Sequence, residues 1–306
     1  MVNLPAAKGD FMEKTMTLSP SLIDTRNKRM ALAYFSVMLV FHLACLLAFY
    51  TGVTWTAFGI FFASYAMKAL GITTGFHRYF AHRSYRTNRV FQFILGFMGT
   101  TAIQGGVLWW ASHHRGHHKH SDKKEDIHSP VAHGFFHSHL GWMWSKECFQ
   151  EAKYKCNDFA KFPEIKFLNK FYGPLIFGQA LSFYALGESL NWFFPQLGTS
   201  GLQVLVWGFF IATVWTWHVT FSINSICHVY GSKRYDSGDE SRNNWLMAIL
   251  AFGEGWHNNH HKYGWSARNG FKWWEYDVTY YLLKFLELFG IVRDLKVPTK
   301  KQIEGV

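Results

Sequence analysis

The sequence predicts an all-α, integral-membrane fold, with four transmembrane helices beneath a cytosolic helical cap that holds a histidine-rich metal site. Three observations predict it. Four apolar stretches, at about residues 31–50, 55–75, 171–187 and 202–223, approach or reach the roughly 20 residues that a membrane-spanning helix needs. The Lys and Arg residues behind the formal net charge of +11 flank these stretches and form no stripe, so nucleic acid is not an expected partner. Eight of the 17 histidines crowd into three short clusters, which must meet on one side of the membrane if they serve one site.

Each element follows in order. Residues 1–30 lack the apolar core after a basic start that marks a cleavable signal peptide, and are expected to be a cytosolic tail. Arg26, Lys28 and Arg29 precede the first span and place the N-terminus in the cytosol. The uncharged loop 51–54 is then external, and the second span returns with His77 and His82 amid Arg78, Arg83, Arg86 and Arg89. Residues 187–201 contain no Lys or Arg and suit a second external loop. One domain, residues 31–298, therefore carries four crossings, followed by a cytosolic tail at 299–306. Segment 91–110 is also apolar and about long enough to cross. If it crossed, His114 would emerge opposite His77, so it must be re-entrant, interfacial or packed beneath the cap. Gly96, Gly99, Gly105, Gly106 and Gln104 suit a packed or broken helix there. Cys45, Cys148, Cys156 and Cys227 form no CxxC pair and imply no disulfide framework.

The clusters read HRYFAH (His77, His82), HRGHH (His114, His117, His118) and HNNHH (His257, His260, His261). Imidazole suits iron, copper, zinc and nickel, and the supply exceeds the four ligands of a structural zinc, which argues for two metals. The second and third clusters are spaced i, i+3, i+4, so a helix puts each on one face. His77 and His82, five apart, fall about 140° around an ideal helix. They share a metal only if the helix unwinds between them; otherwise they serve different metals, or the span ends inside the cluster. Asn224 and His228, in NSICH, lie at the end of the fourth span, level with the clusters; the spacing leaves open a ligand or an ordinary span-end pair. His42 and His218 lie within spans with no histidine near them in sequence and are read as structural or hydrogen-bonded within the bundle. His113, His120, His128, His133, His137 and His139 surround the second cluster, either supporting the ligands or as solvated loop residues. No HExxH pair with a glutamate base occurs, which speaks against hydrolytic zinc. All-nitrogen ligation beside a bilayer suggests oxygen activation and C–H abstraction, chemistry that belongs to the metal.

Five stretches, ALGITTGFHRYFAHRSY, WWASHHRGHHKHSD, GFFHSHLGWMW, NSICHVYG and GEGWHNNHH, resemble the membrane fatty-acyl desaturases, specifically the acyl-CoA delta-9 type, over about residues 30–298. The resemblance implies a cytosolic di-iron centre above four spans. Its nine ligands would be His77, His82, His114, His117, His118, His228, His257, His260 and His261, with Asn224 reaching one metal through water. It also implies a cis double bond, delta-9 by type, introduced into a saturated acyl chain with O2 and two external electrons. No haem-binding domain is evident at either end, so a separate donor is expected, such as a b-type cytochrome or ferredoxin with its reductase. In animal members a polar and charged run before the second cluster contacts the coenzyme A head. Here it reads QGGVLWWASH, keeping Gln104 but carrying Gly105, Gly106, Ser112 and His113, which leaves acyl-CoA and acyl-lipid both open. Phe61, Tyr65, Gln104, Trp110 and Arg115 are candidate substrate contacts, with Phe61 and Tyr65 as a tunnel floor. Arg115, Lys119, Lys123 and Lys124 could meet substrate phosphates or an acidic donor, or be ordinary cytosolic charge. Trp256, Trp265, Trp273 and Trp274 suit an interfacial belt. The style of the clusters favours a bacterial inner membrane over the endoplasmic reticulum. A lipid hydroxylase on the same scaffold, or a non-catalytic membrane metal-binding or transport protein, are the rival readings.

Overall fold

The computed structural model describes residues 20–149 and 154–304. Most of the expected N-terminal tail, residues 1–19, and the last two residues of the C-terminal one lie outside the described residues. Three helices are long and apolar enough to cross a membrane: Ile23–Thr51, Trp55–Ala81 and Gly201–His228. The expected third span is the helix Tyr172–Phe193, whose 22 residues are long enough, at about 33 Å. Gln179, Glu188 and Asn191 dilute its apolarity, and on length and composition it is not among the three.

The Gly201–His228 helix is the axis of the bundle. Its central segment packs against the first helix, the second helix and Tyr172–Phe193. Segment 91–110 is not one helix. Arg89–Thr100 and Val107–His120 are separated by a non-helical stretch, in which Ile103 and Gly105 have positive φ of 57° and 92°. Backbone exposed at such a break must find partners within the protein. The Trp217 indole donates to the carbonyls of Ala102 and Ile103 at 2.9 and 3.2 Å, and the Gly105 amide donates to the Tyr172 hydroxyl at 2.9 Å. The fully buried Lys68 ammonium donates to Thr101 O at 2.9 Å, placing a cation at the C-terminal end of Arg89–Thr100, where helix carbonyls lack partners.

The second span continues past Leu70 as a π-helix, Gly71–Ala81. It crosses Arg89–Thr100 at backbone contact. A Cβ on Gly71 would lie 2.4 Å from the Met98 carbonyl carbon, and one on Gly99 would lie 2.3 Å from the Phe76 ring. A short antiparallel pair, Arg86–Thr87 with Val292–Arg293, ties the end of this segment to the C-terminal region. We expect Gly71→Ala to lower the unfolding midpoint in detergent, at a cost of about 1–3 kcal/mol. Gly59→Ala, whose Cβ meets nothing within 4 Å, should leave it unchanged. Equal midpoints for the two variants would contradict the close crossing.

Candidate metal centre

The histidine clusters sit on two kinds of helix. The second lies on the regular helix Val107–His120, and the third on the short helix His257–Lys262. The first lies on the π-helix, whose i→i+5 bonding stacks residues five apart. The His82 amide accordingly donates to His77 O at 3.1 Å, and the two rings lie 4.8 Å apart. The angular conflict expected of an ideal helix is thus removed by a wider turn, and His77 and His82 belong to one group instead of two. His228 closes the fourth apolar segment on a 3-10 turn, Ile226–His228.

Nine histidines converge as two groups: His77, His82, His114, His118 and His260 in one, His117, His228, His257 and His261 in the other. Within each group the candidate ligand atoms all lie within 4.8 Å of one another. In the first, Nε2 atoms face Nε2 atoms: His77 to His260 at 3.0 Å, His82 to His114 at 2.8 Å, His114 to His118 at 3.1 Å and His118 to His260 at 2.9 Å. In the second, His228 meets His257 at 3.1 Å and His117 meets His261 at 3.3 Å. Nitrogens held at right angles about 2.1 Å from one cation stand about 3.0 Å apart. The spacing and the donor type therefore fit metal ions.

The opposite ring edges explain why Nε2 is free to bind. Glu254 Oε2 lies 2.7 Å from His77 Nδ1, Asp126 Oδ2 2.8 Å from His117 Nδ1, Asp122 Oδ2 2.9 Å from His228 Nδ1, and Asp239 Oδ2 2.5 Å from His261 Nδ1. A carboxylate on Nδ1 fixes the proton there and leaves the Nε2 lone pair facing inward. Glu254 also pairs with the fully buried Arg78 at 3.0 Å, which bonds Asp277 in turn at 2.9 Å. These four carboxylates went unnoticed in the sequence. Glu254 and Asp122 stand next to cluster motifs, but only the fold shows which imidazole each faces. No such partner is found for Nδ1 of His257 or His260 among the described residues.

Burial first, and neighbouring imidazoles second, push His82, His114, His118, His257 and His260 well below the ordinary histidine value. Burial likewise lowers His261 to about 4, against the pull of Asp239. His117 is raised, since Asp126, Asp122 and Asp239 outweigh burial. Burial works to raise Asp126, Asp122 and Asp239. The histidines outweigh it: His117 and His128 around Asp126, His228 beside Asp122 and His261 beside Asp239 hold all three below the usual carboxylate range.

The other expected residues divide. Trp110 stacks on His114, with centroids 5.0 Å apart, and its indole donates to Gln104 Oε1 at 3.4 Å. Gln104 is buried and donates to Thr220 at 3.0 Å. Tyr65 lines a narrow cavity of about 30 Å³ with Thr220 and Glu254, and Phe61 stacks behind it at 6.4 Å. Asn224 is half-buried in the turn before His228, and its side chain makes no hydrogen bond among the described residues. Arg115 differs from expectation. It bonds Asp158 at 2.8 and 3.1 Å and the carbonyls of Phe80 and Ala81 at 2.7 and 3.0 Å, capping the π-helix instead of reaching outward. His42 and His218 are not isolated, because the first and last apolar helices touch. Their Nε2 atoms lie 3.1 Å apart, and His218 Nδ1 lies 3.0 Å from His139 Nε2. Of the histidines around the second cluster, His128 is the one that reaches the groups above, 3.3 Å from Asp126 Oδ1 and packed on the His117 ring.

Two outcomes are expected. Asp239→Asn, which removes the charge facing His261, should lower metal affinity about 10- to 100-fold with little change in helicity. Metal titration followed by circular dichroism checks this, and unchanged affinity would count against the oriented-imidazole account. The second concerns pH. Groups with lowered values bind fewer protons folded than unfolded, so stability rises with pH between the folded values and about 6.5 and is lost as pH falls through that window. His117 opposes this, but the lowered histidines outnumber it. Melts of metal-free protein from pH 7.5 to 5 should therefore shift downward, and a flat or rising midpoint would contradict the assignment.

A family model described as fatty acid desaturase matches residues 53–287. The chain is 39% identical over 264 residues to the sn-1 stearoyl-lipid 9-desaturase of Anabaena variabilis, covering 85% of this chain and 92% of the relative. It is 38% identical to an acyl-CoA 5-desaturase of Anemone leveillei, covering 87% and 80%. It is 35% identical to the chloroplastic palmitoyl-monogalactosyldiacylglycerol delta-7 desaturase of Arabidopsis thaliana, covering 97% and 79%. The chain belongs to the fatty acid desaturase family, and it is an oxidoreductase that introduces a double bond into an acyl chain.

Proposed function

We propose that the two histidine groups hold two irons, and that the protein uses O2 and two external electrons to place a cis double bond, delta-9, in a saturated acyl chain of a membrane lipid. The observation that carries this reading is the division of nine inward-facing imidazoles into groups of five and four, backed by buried carboxylates. Bound iron would supply the oxygen activation and C–H abstraction. The protein turns the Nε2 atoms toward one another, and presents the acyl chain beside His77 and His114 along Trp110, Gln104 and Thr220. Asn224, one turn before His228, would help hold the second iron through water.

An acyl-lipid carrier is supported by the run before the second cluster. Ser112 donates to Tyr154 O, His113 lies within 3.1 Å of the Trp109 and Cys148 carbonyls, and Gly105 and Gly106 are packed against Trp109 and Asn169. None offers a charge to a coenzyme A head. Four crossings, with the metal groups and both termini on the cytosolic side of a bacterial inner membrane, are part of the same proposal. Tyr172–Phe193 supports it by exposing Phe177, Leu181, Trp192 and Phe193 along a 22-residue helix.

Expression in a host unable to make unsaturated fatty acids, with mass spectrometry of its lipids, tests the reaction. Loss of two hydrogens from lipid-bound acyl chains is expected. Gain of an oxygen would turn the reading to a hydroxylase, and product confined to added acyl-CoA would overturn the carrier. His228→Ala should abolish product and lower bound iron while the protein still inserts; two irons and near-normal activity would return His228 to a structural role. Tyr65, at the far end of the cavity that reaches Glu254, is proposed as the tunnel floor. Tyr65→Ala should shift preference to longer acyl chains without moving the double bond from the carboxyl end, and an unchanged chain-length profile in the iron-loaded variant would remove it from the floor.

A further inference from the structure

Desaturation by O2 does not balance on the acyl chain alone. R–CH2–CH2–R′ + O2 + 2 e⁻ + 2 H⁺ gives R–CH=CH–R′ + 2 H2O, so two electrons must enter from outside. An entry is visible on the outer side of the first histidine group. A cleft of about 890 Å³ is lined by Arg83, Arg86, Lys161, Arg293 and Lys296 against two carboxylates, Asp158 and Asp294, with His82 at its inner end. The His82 ring therefore faces both the cleft and the metal group, where its Nε2 lies 2.8 Å from that of His114.

The charges are arranged at some cost to the fold. Arg86 and Arg293 stand directly opposite each other in the two-stranded pair. Like charges at such positions are destabilising. Arg83 has a positive φ of 52°, a conformation uncommon outside glycine. Lys161 and Arg293 have no ion-pair partner among the described residues. Arg86 meets Asp294 at 3.4 Å with both side chains largely exposed, too weak a pair to neutralise the site. A net positive, solvent-open surface of this kind steers an anionic macromolecule to its mouth.

We infer that this cleft is the docking site of an acidic one-electron carrier protein, which reduces the metal centre through His82. The inference rests on the desaturase reading with redox-active metals. A substrate head group fits the placement less well. The cleft shares no lining residue with the cavity between Tyr65 and Glu254, and it meets the first group at His82, whereas the cavity meets it at Glu254, the partner of His77. A chain anchored in the cleft would have to thread the imidazoles to reach the cavity. A carrier need only touch the rim. Each docking oxidises one carrier by one electron, and two successive dockings supply the pair in the balance above.

The test uses the full-length, iron-loaded protein in nanodiscs, with a plant-type [2Fe–2S] ferredoxin and the soluble domain of a b-type cytochrome as probes. Calorimetry should show at least one of them binding at about 50 mM salt and weakening tenfold or more by about 200 mM, as rim electrostatics require. Lys161→Glu with Arg293→Glu should raise the KM for that carrier tenfold or more and flatten its salt dependence, with kcat at saturating carrier and the KM for acyl lipid retained. The double alanine variant should move the same way by a smaller factor. Failure of both carriers to bind, or an unchanged carrier KM in the charge-reversed protein, overturns the inference. A shift in the acyl-substrate KM instead assigns the cleft to the substrate head group. Failure of the desaturase reading is seen separately, as absence of unsaturated product from wild-type protein reduced by methyl viologen in the presence of O2.

Discussion

A lone pair on nitrogen binds a metal only if no proton occupies it, and nine of them must be kept bare. The carboxylate–imidazole bond meets this condition at three of the nine. Asp126, Asp122 and Asp239 each bond an Nδ1 and turn Nε2 inward, and Glu254 stands 2.7 Å from the Nδ1 of a fourth, His77. Burial keeps the other imidazoles from protonating. Much of the cap follows from these bonds. Asp122 and Asp126 bring the loop after the second cluster under His228 and His117. Asp239 brings the stretch after the fourth apolar segment against His261. Arg78 is buried to balance Glu254 and Asp277, and Arg115 closes the carbonyls at the end of the π-helix.

A second condition comes from the apolar surroundings. Segment 91–110 has the composition of a span and is not built as one, because it must bring His114 to the side where His77 stands. It does so by breaking, and other helices bring partners to the break: Trp217 and Lys68 for the carbonyls of residues 101–103, Tyr172 for the amide of Gly105. An indole, an ammonium and a phenol at this depth would otherwise be costly to bury. Their presence is the complement of the broken helix, and explains why a lysine lies in the middle of the second apolar stretch.

Those two conditions also mark what could be read from the chain. The convergence of the eight cluster histidines was legible from residue type and local spacing, whereas spacing left His228 open and the family resemblance pointed to it. The break in 91–110 was legible because an unbroken span would separate His77 from His114. The partners of the ligands were not, since Asp239 lies 22 residues from His261 and Glu254 lies 177 from His77, distances over which spacing carries no information. The pairing of His42 with His218 joins the first and last apolar helices and was hidden for the same reason. Arg115 was misread because a cation beside a ligand looks the same in sequence whether it faces solvent or a helix end.

The wide turn at Gly71–Ala81 bears on how ligand spacing is compared between chains. A π-turn holds one more residue than an α-turn, so His77 and His82 are related as His114 and His118 are: one hydrogen-bonded turn apart, on one face. Counted in residues, the first pair looks like a different motif. Counted in turns, it is the same one. A chain that had lost one residue between the two histidines and relaxed the segment to an α-helix would keep the pair aligned, whereas losing that residue while keeping the wide turn would rotate one ring out of the group. The conserved quantity of such a site is therefore a number of turns, and a gap of one residue in this stretch is a change of helix type.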